Sequence, residues 1–215
     1  MNIFTFFEPV DGMDQDEQAN LISLWRKNWS AQGWKCFVLN ERHAKVHPWF
    51  QFYSNLVSEF PTVNPKRYEY FCFIRWLAFA NSCHDGKCLF ADYDVMSYGF
   101  TPDQRNDNRL VFYQGHVPAL VFGGKESLYD LCRMFMAYQI QPDDLYEGRP
   151  HVSDMHIIQK LMSRYPDKFV LDEKMKNHGE EGWDSIPVVH YSHFGMPNMN
   201  PRSKFIPELR KPFFH

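Results

Sequence analysis

Two carboxylates separated by one residue are the strongest chemical signal in this sequence. Asp92 and Asp94 follow the short apolar run Cys88–Ala91. Alternate side chains of an extended backbone point the same way, so both acids should face one side. Carboxylates at the carboxyl end of a buried strand are typical ligands of a hard divalent cation. Acidic residues also end strands only to face water, so the pair alone leaves both interpretations open.

One arginine stands where a buried residue is expected. The run 66–83 is apolar on nearly every side of a predicted helix, and Arg75 lies inside it. A guanidinium stays charged in proteins, so at an apolar position it needs an anionic partner. That partner is either a structural Asp or Glu, a bound phosphate, or the acidic pair itself.

The order of these residues resembles a known family. Arg75-Trp76-Leu77, then Gly86, then Leu89 to Val95 is similar to the sugar-binding region of D-x-D glycosyltransferases. There a helix with S-D-x-x-R-aromatic leads into G-G-x-Y-x-D-x-D. The present chain departs from that pattern in three ways: Cys72 stands in place of the helix Asp, Leu77 comes early, and Lys87 and Cys88 follow a single glycine.

The resemblance implies the glycosyltransferase A-type fold and a nucleotide-diphospho-sugar donor, most simply a UDP-sugar. In that family the second acid of the pair, which here would be Asp94, binds Mn²⁺ or Mg²⁺. The first acid, Asp92, would hold the ribose or the metal. Such a cation neutralises the charge that develops on the leaving nucleoside diphosphate. The acceptor would be a glycan or glycoconjugate.

A late histidine often completes the metal site in this family, and the sequence offers two. His190 ends a short apolar strand and His193 follows shortly after. Imidazole is a softer ligand than carboxylate and suits Mn²⁺. Either residue is therefore a candidate third ligand. Arg202 and Lys204 come next. These basic residues either close over the donor diphosphate, with Lys204 a predicted donor-binding residue, or lie in a solvated tail.

Four further residues acquire roles by the same resemblance. Glu8, at the end of the first strand, would meet the nucleobase or ribose. Gly123 and Gly124 would allow close approach of the donor sugar or acceptor, or would only form a turn. Asp154 opens a predicted helix, where an acid is favoured by the helix dipole. In the resembled fold an acid at this point can act as the catalytic base that deprotonates the acceptor.

The elements that must carry these residues alternate between strand and helix. Ile3–Phe7, a helix from Asp14 to Gly33, and Lys35–Leu39 form a β-α-β unit, which implies parallel strands. The other predicted strands begin at Gly86, Leu110, Ala119, Phe169 and Pro187, and the other helices cover 66–83, 126–140 and 153–164, with a helix and a loop in 42–64. We therefore predict an α/β fold of three layers, α/β/α, with a mixed, mostly parallel sheet.

The chain length of 215 residues fits one domain, 1–215. Prolines at 197, 201, 207 and 212 predict that 196–215 is an extended tail. The segment 101–108 is predicted to be a polar loop.

Composition excludes several classes of function. A net charge of −3 argues against a nucleic-acid partner. Five cysteines without a C-x-x-C pair indicate neither a disulfide framework nor a zinc site. The amino terminus has no basic lead, and no apolar run would span a bilayer, so we expect a cytoplasmic protein without a transmembrane segment.

Two other functions remain open from the sequence. A nucleotidyltransferase shares the architecture, but it usually needs a basic, glycine-rich loop where this chain has the acidic segment 7–12. A non-catalytic carbohydrate-binding protein would also make use of the 17% aromatic content. The donor sugar, the acceptor and the stereochemical outcome are not encoded in any residue that we can interpret.

Overall fold

The computed structural model describes residues 1–84, 86–103, 108–115 and 117–209. Its strands are β1 (Asn2–Phe6), β2 (Lys35–Leu39), β3 (Lys87–Ala91), β4 (Val95–Ser97), β5 (Leu110–Phe112), β6 (Leu120–Gly124), β7 (Leu145–Tyr146), β8 (Arg149–Pro150), β9 (Phe169–Leu171), β10 (Met175–Asn177) and β11 (Val188–His190). Its helices are α1 (Gln15–Ser30), α2 (Glu41–Lys45), α3 (Phe50–Ser58), α4 (Lys66–Ser82), α5 (Lys125–Met136), α6 (Asp154–Arg164) and α7 (Arg202–Leu209).

The main sheet has six strands in the order β2-β1-β3-β6-β5-β9. β6 runs antiparallel to both of its neighbours, and the other pairs are parallel. This confirms the predicted mixed, mostly parallel sheet. Because β1, β3 and β5 run the same way, their carboxyl ends meet at one edge, where Glu8, Asp92 and Gln114 follow.

A second sheet in the order β10-β11-β4 carries the backbone that follows the acidic pair. β4 begins directly after Asp94 and pairs antiparallel with β11, with Val95 opposite His190. The Tyr191 amide donates to the Asp94 carbonyl at 2.9 Å. This pairing brings the late histidine beside the acids.

Alternating strand residues feed two hydrophobic cores, one on each face of the main sheet. Phe4 and Phe90 face helices α3 to α6. Ile3 and Leu89 face α1, the small sheet and α7. The Trp29 indole N–H, on α1, donates to the Val95 carbonyl at 2.9 Å and fixes the start of β4. The fold is therefore the predicted three-layer α/β/α arrangement.

The carboxyl-terminal segment departs from the prediction. Within 196–209, the part of the predicted tail that the structure describes, Arg202–Leu209 is helical although Pro207 lies inside it. Packing outweighs the cost of the proline here, because Ile206 is buried and the Ser203 amide binds the Glu17 carboxylate at 2.9 Å. The helix α7 thus packs on α1.

Other differences concern short elements. β4, β10 and the hairpin β7–β8 have too few residues to show a periodic pattern. The segment 42–64 contains two helices, α2 and α3, rather than one. Of the predicted polar loop 101–108, residues 104–107 lie outside the described part. Among the described residues, no helix is long and apolar enough to cross a membrane.

Candidate active site

A cleft opens at the carboxyl edge of the main sheet, over the ends of β1 and β3. Most of the predicted site residues that carry charge meet in it. Its polar lining residues include Glu8, Arg75, Asp92, Asp94, His193 and Arg202. The edge is where ligands bind in open α/β sheets.

Arg75 links two carboxylates from different elements. Its Nη1 donates to Asp92 Oδ1 at 2.7 Å, and its Nη2 donates to Asp154 Oδ2 at 2.7 Å. The Arg75 side chain is only 12% exposed. The anionic partner that the sequence demanded is thus a pair of acids, one of them the first acid of the D-x-D pattern.

Asp154 is held by several donors at the start of α6. Its Oδ2 accepts from Arg75 and also from the Trp76 indole N–H at 2.8 Å, while its Oδ1 accepts from the Met155 amide at 2.8 Å. The carboxylate is almost fully buried. These contacts favour a role in orienting Arg75. The role as a catalytic base stays a prediction.

Asp92, Asp94 and His190 form a candidate metal centre. One ligand atom from each lies within 4.8 Å of the others. His190 Nδ1 lies 3.2 Å from Gln114 Oε1, which can only accept, so Nδ1 carries the hydrogen. Nε2 faces Asp94 Oδ1 at 3.4 Å. A neutral His190 would therefore direct its lone pair at the acids, as a metal ligand must. Two carboxylates and one imidazole fit Mn²⁺ or Mg²⁺.

The pKa values of the two acids in this centre are shifted in opposite directions. Burial raises the pKa of Asp92 to about 6, although Arg75 opposes the shift. Burial acts in the same sense on Asp94, but His190 and Arg202 outweigh it and hold the pKa of Asp94 well below its usual range. Burial lowers the pKa of His190, but the Asp94 carboxylate outweighs it, so the net shift is upward. Asp94 is therefore the more reliably charged acid of the two.

Arg202, at the start of α7, reaches into this centre. Its Nη1 donates to Asp94 Oδ2 at 2.7 Å and to the Tyr191 carbonyl at 2.6 Å. Its Nη2 lies 3.1 Å from His193 Nε2. Of the two candidate histidines, His190 thus belongs to the acid cluster, whereas His193 contacts the arginine.

Glu8 lies on the cleft wall with one carboxylate oxygen committed. Glu8 Oε1 accepts from the Glu41 amide, at the start of α2, at 2.8 Å. This bond holds the side chain on the cleft wall.

Two predicted donor contacts lie away from the cleft. In the β3–β6 register, Ala91 pairs with Leu120, whereas Gly123 and Gly124 pair with Cys88 and Lys87. Because β6 is antiparallel, its glycine end lies at the opposite edge of the sheet from Asp92. The structure therefore does not bring these glycines to the cleft. Lys204 is exposed on α7, and Arg202 is the basic residue of that helix that lines the cleft.

The departure at Cys72 has a visible consequence. Cys72 lines the cleft, and burial raises the pKa of its thiol well above its usual value, so it is a neutral group. Arg75 therefore takes its second acid from α6 instead of from its own helix. Glu69, one turn earlier, lies close to both Cys72 and Asp154.

No protein-family model and no curated protein sequence matches the chain. Solved structures do. A glycosyltransferase involved in the glycosylation of the major capsid of PBCV-1 superposes with a TM-score of 0.58 at 11% identity, over 97% of this chain and 98% of the other. The chain has the glycosyltransferase A-type fold.

Two further glycosyltransferase A-type structures agree. Mouse xyloside xylosyltransferase 1 has a TM-score of 0.54 at 10% identity, over 88% of this chain and 97% of the other. The galactosyltransferase LgtC, in complex with donor and acceptor sugar analogues, has a TM-score of 0.51 at 12% identity, over 89% of this chain and 87% of the other. The fold implied by the motif resemblance is confirmed.

Sequence reasoning missed two polar contacts of the site. Gln114 follows a three-residue strand, and nothing in its neighbourhood distinguishes it from a loop amide. Trp76 is a fully buried core residue whose indole N–H also binds Asp154. Only its position next to Arg75 hinted at that contact.

Proposed function

We propose that this protein is a metal-dependent glycosyltransferase that moves a sugar from a nucleotide-diphospho-sugar, a UDP-sugar, to a glycan or glycoconjugate acceptor. The observation that carries the proposal is the cluster of Asp92, Asp94 and the buried His190, of which the two acids line a cleft at the carboxyl edge of a glycosyltransferase A-type sheet. A hard divalent cation prefers carboxylate oxygens, and once bound it would offer positive charge to a diphosphate.

The metal ligands would be Asp94, His190 and Asp92. Bound there, Mn²⁺ or Mg²⁺ would supply the positive charge that neutralises the leaving nucleoside diphosphate. Gln114 supports the proposal because it holds His190 in the tautomer that offers Nε2 to the cation. Asp92 would also keep its contact with Arg75.

Other residues of the cleft would bind the organic part of the donor. Glu8 Oε2 would accept from the ribose or the nucleobase. Arg75 lines the same cleft and would orient the donor sugar, with Asp154 fixing its guanidinium. Of the two basic residues on α7, Arg202 lines the cleft, whereas Lys204 is exposed.

Calorimetry with UDP tests the proposal. UDP should bind in the presence of Mn²⁺ and should bind far more weakly in EDTA. Asp94→Asn should abolish the metal-dependent part of the affinity. The matched control is Asp103→Asn, which removes one carboxylate from an exposed ion pair with Lys174 and should leave binding unchanged.

Two outcomes would reject the proposal. Binding of glycan without any effect of nucleotide or metal would favour a non-catalytic carbohydrate-binding protein. Release of pyrophosphate from a nucleoside triphosphate would favour a nucleotidyltransferase. Hydrolysis of one member of a panel of nucleotide sugars would support the proposal and identify the donor.

A further inference from the structure

We propose that, when no metal is bound, the Arg202 guanidinium pairs with the Asp94 carboxylate at the position that a divalent cation would take. Cation binding then releases the helix α7 from the cleft. The inference rests on the proposed function, because it assumes that Asp94 is a metal ligand. It adds a linkage between the metal and the carboxyl-terminal helix.

The contact geometry is that of a cation site filled by a guanidinium. Arg202 Nη1 binds Asp94 Oδ2 at 2.7 Å, and the opposite oxygen, Oδ1, faces His190. Both oxygens of the proposed principal ligand are therefore engaged by this chain's own groups. A divalent cation that used Asp94 would bring at least two positive charges next to the guanidinium, so each would weaken the other.

Arg202 is also incompletely satisfied in this position. It is 2% exposed, and among the described residues its Nε has no hydrogen-bond partner. A buried donor without a partner loses its hydration without a compensating hydrogen bond, which destabilises the docked arrangement. His193, its third neighbour, offers only a ring nitrogen. A cation that binds Asp94 can therefore displace the Arg202 guanidinium without breaking a fully satisfied set of hydrogen bonds.

The cleft is narrow while Arg202 forms part of its wall. Its volume is about 160 Å³. Pockets for small molecules and cofactors typically measure roughly 300–1,000 Å³. Withdrawal of Arg202 and α7 would enlarge the cleft at the side of the acid pair, where the diphosphate of the donor is proposed to bind.

The attachment of α7 outside the cleft is polar and limited. Ser203 binds Glu17 through both its amide and its hydroxyl. Ile206 is the one α7 residue besides Arg202 that is buried among the described residues. The docking thus depends on the Arg202 contacts with Asp94 and the Tyr191 carbonyl, the Ser203–Glu17 bonds, the buried Ile206 and the partly buried Leu209. Removing the ion pair should favour the undocked helix.

The test combines Mn²⁺ calorimetry with hydrogen exchange of the full chain, without donor. Arg202→Met should bind Mn²⁺ about tenfold more tightly than the wild type, within the range of about 5–150-fold that couplings between sites typically reach. Lys27→Met removes an equal charge from an exposed position on α1 and should not change the affinity. In the wild type, Mn²⁺ should accelerate amide exchange in 202–209.

A second variant keeps the test independent of the cleft charge. Ser203→Ala removes the hydroxyl contact with Glu17 and should also tighten Mn²⁺ binding, because an α7 that docks less firmly competes less. If Mn²⁺ binds the wild type and Arg202→Met equally and exchange in 202–209 stays constant, the inference is wrong while the metal site stands. If no variant binds Mn²⁺ and UDP binding is metal-independent, the metal site fails and the inference fails with it.

Discussion

Asp154 and Arg75 lie 79 positions apart in the chain, and two nitrogens of Arg75 bind the same oxygen of Asp154, Nη2 at 2.7 Å and Nε at 3.2 Å. With Trp76 as a third donor, Asp154 joins α6 to the middle of α4. The guanidinium is thereby fixed before any ligand arrives. Preorganised charge of this kind is what a site for an anionic ligand needs.

Loss of that carboxylate should cost stability. Asp154→Asn leaves the buried Arg75 with one acid instead of two, and removing one partner of a buried pair costs about 3–5 kcal/mol. We expect the free energy of unfolding in urea to fall by about 3 kcal/mol. Asp130→Asn, in an exposed pair with Arg133 of the same 2.7 Å length, should cost less than about 1 kcal/mol. Equal small losses in both variants would contradict the structural role of Asp154.

Glu69 should make the protein less stable as the pH rises. Burial raises the pKa of this carboxyl to about 7, with Asp154 adding to the shift, from an ordinary value of 4.5. The folded state therefore binds more protons than the unfolded state between these values, so stability falls as the pH rises through that window. The shift corresponds to about 3 kcal/mol.

Glu69→Gln provides the measurement. A neutral amide oxygen can still accept from Asn64, which binds Glu69 at 2.8 Å. The unfolding free energy of the variant should depend less on pH between about 4.5 and 7. At pH 8 it should be higher than that of the wild type. An unchanged pH profile would show that Glu69 does not titrate in this range.

Gln114 should control metal affinity without contacting the metal. Gln114→Ala removes the acceptor that holds the Nδ1 hydrogen of His190, and loss of such a partner typically costs 10–100-fold, so Mn²⁺ should bind at least about tenfold more weakly. Gln114→Glu keeps an acceptor oxygen and should retain most of the affinity. If both variants weaken binding equally, the effect is one of packing rather than of histidine orientation.

The glycines at the far edge of the sheet should affect stability and not donor binding. A Cβ on Gly123 would lie 2.3 Å from Leu110 Cδ2, in the core, whereas the nearest atom to a Cβ on Gly124 is at 3.6 Å. Gly123→Ala should lower the free energy of unfolding by about 1–3 kcal/mol, and Gly124→Ala should be tolerated. UDP affinity in Mn²⁺ should be unchanged in both. A selective loss of UDP affinity would restore the donor role predicted from the sequence.

The sequence predicts the main sheet well because its signals are local. Apolar runs identify β1, β2 and β3, and the periodicity of α1 and α4 extends over several turns. The need of Arg75 for an anion is also a local inference. The identity of that anion is not, because Asp154, at the start of α6, reaches Arg75 on α4 only through the tertiary fold. The direction of β6 is equally non-local, and it places Gly123 and Gly124 at the opposite edge of the sheet from Asp92.

The carboxyl-terminal half of the site was predictable only in outline. His190 could be proposed from its position at a strand end, but the choice against His193 depends on the pairing of β11 with β4. Four prolines predict an extended tail. Residues 202–209 are helical instead, because Ile206 is buried in the core on the α1 face of the main sheet. Arg202 enters the cleft as a result.

The position of β11 has a consequence for how the site forms during folding. β11 is the central strand of the small sheet, and its partner β4 lies more than ninety residues earlier in the chain. Pairings of such sequence separation form slowly, because a long loop must close first. The acid pair should therefore gain its histidine late in refolding, and Mn²⁺ binding should appear after most of the helical signal has returned.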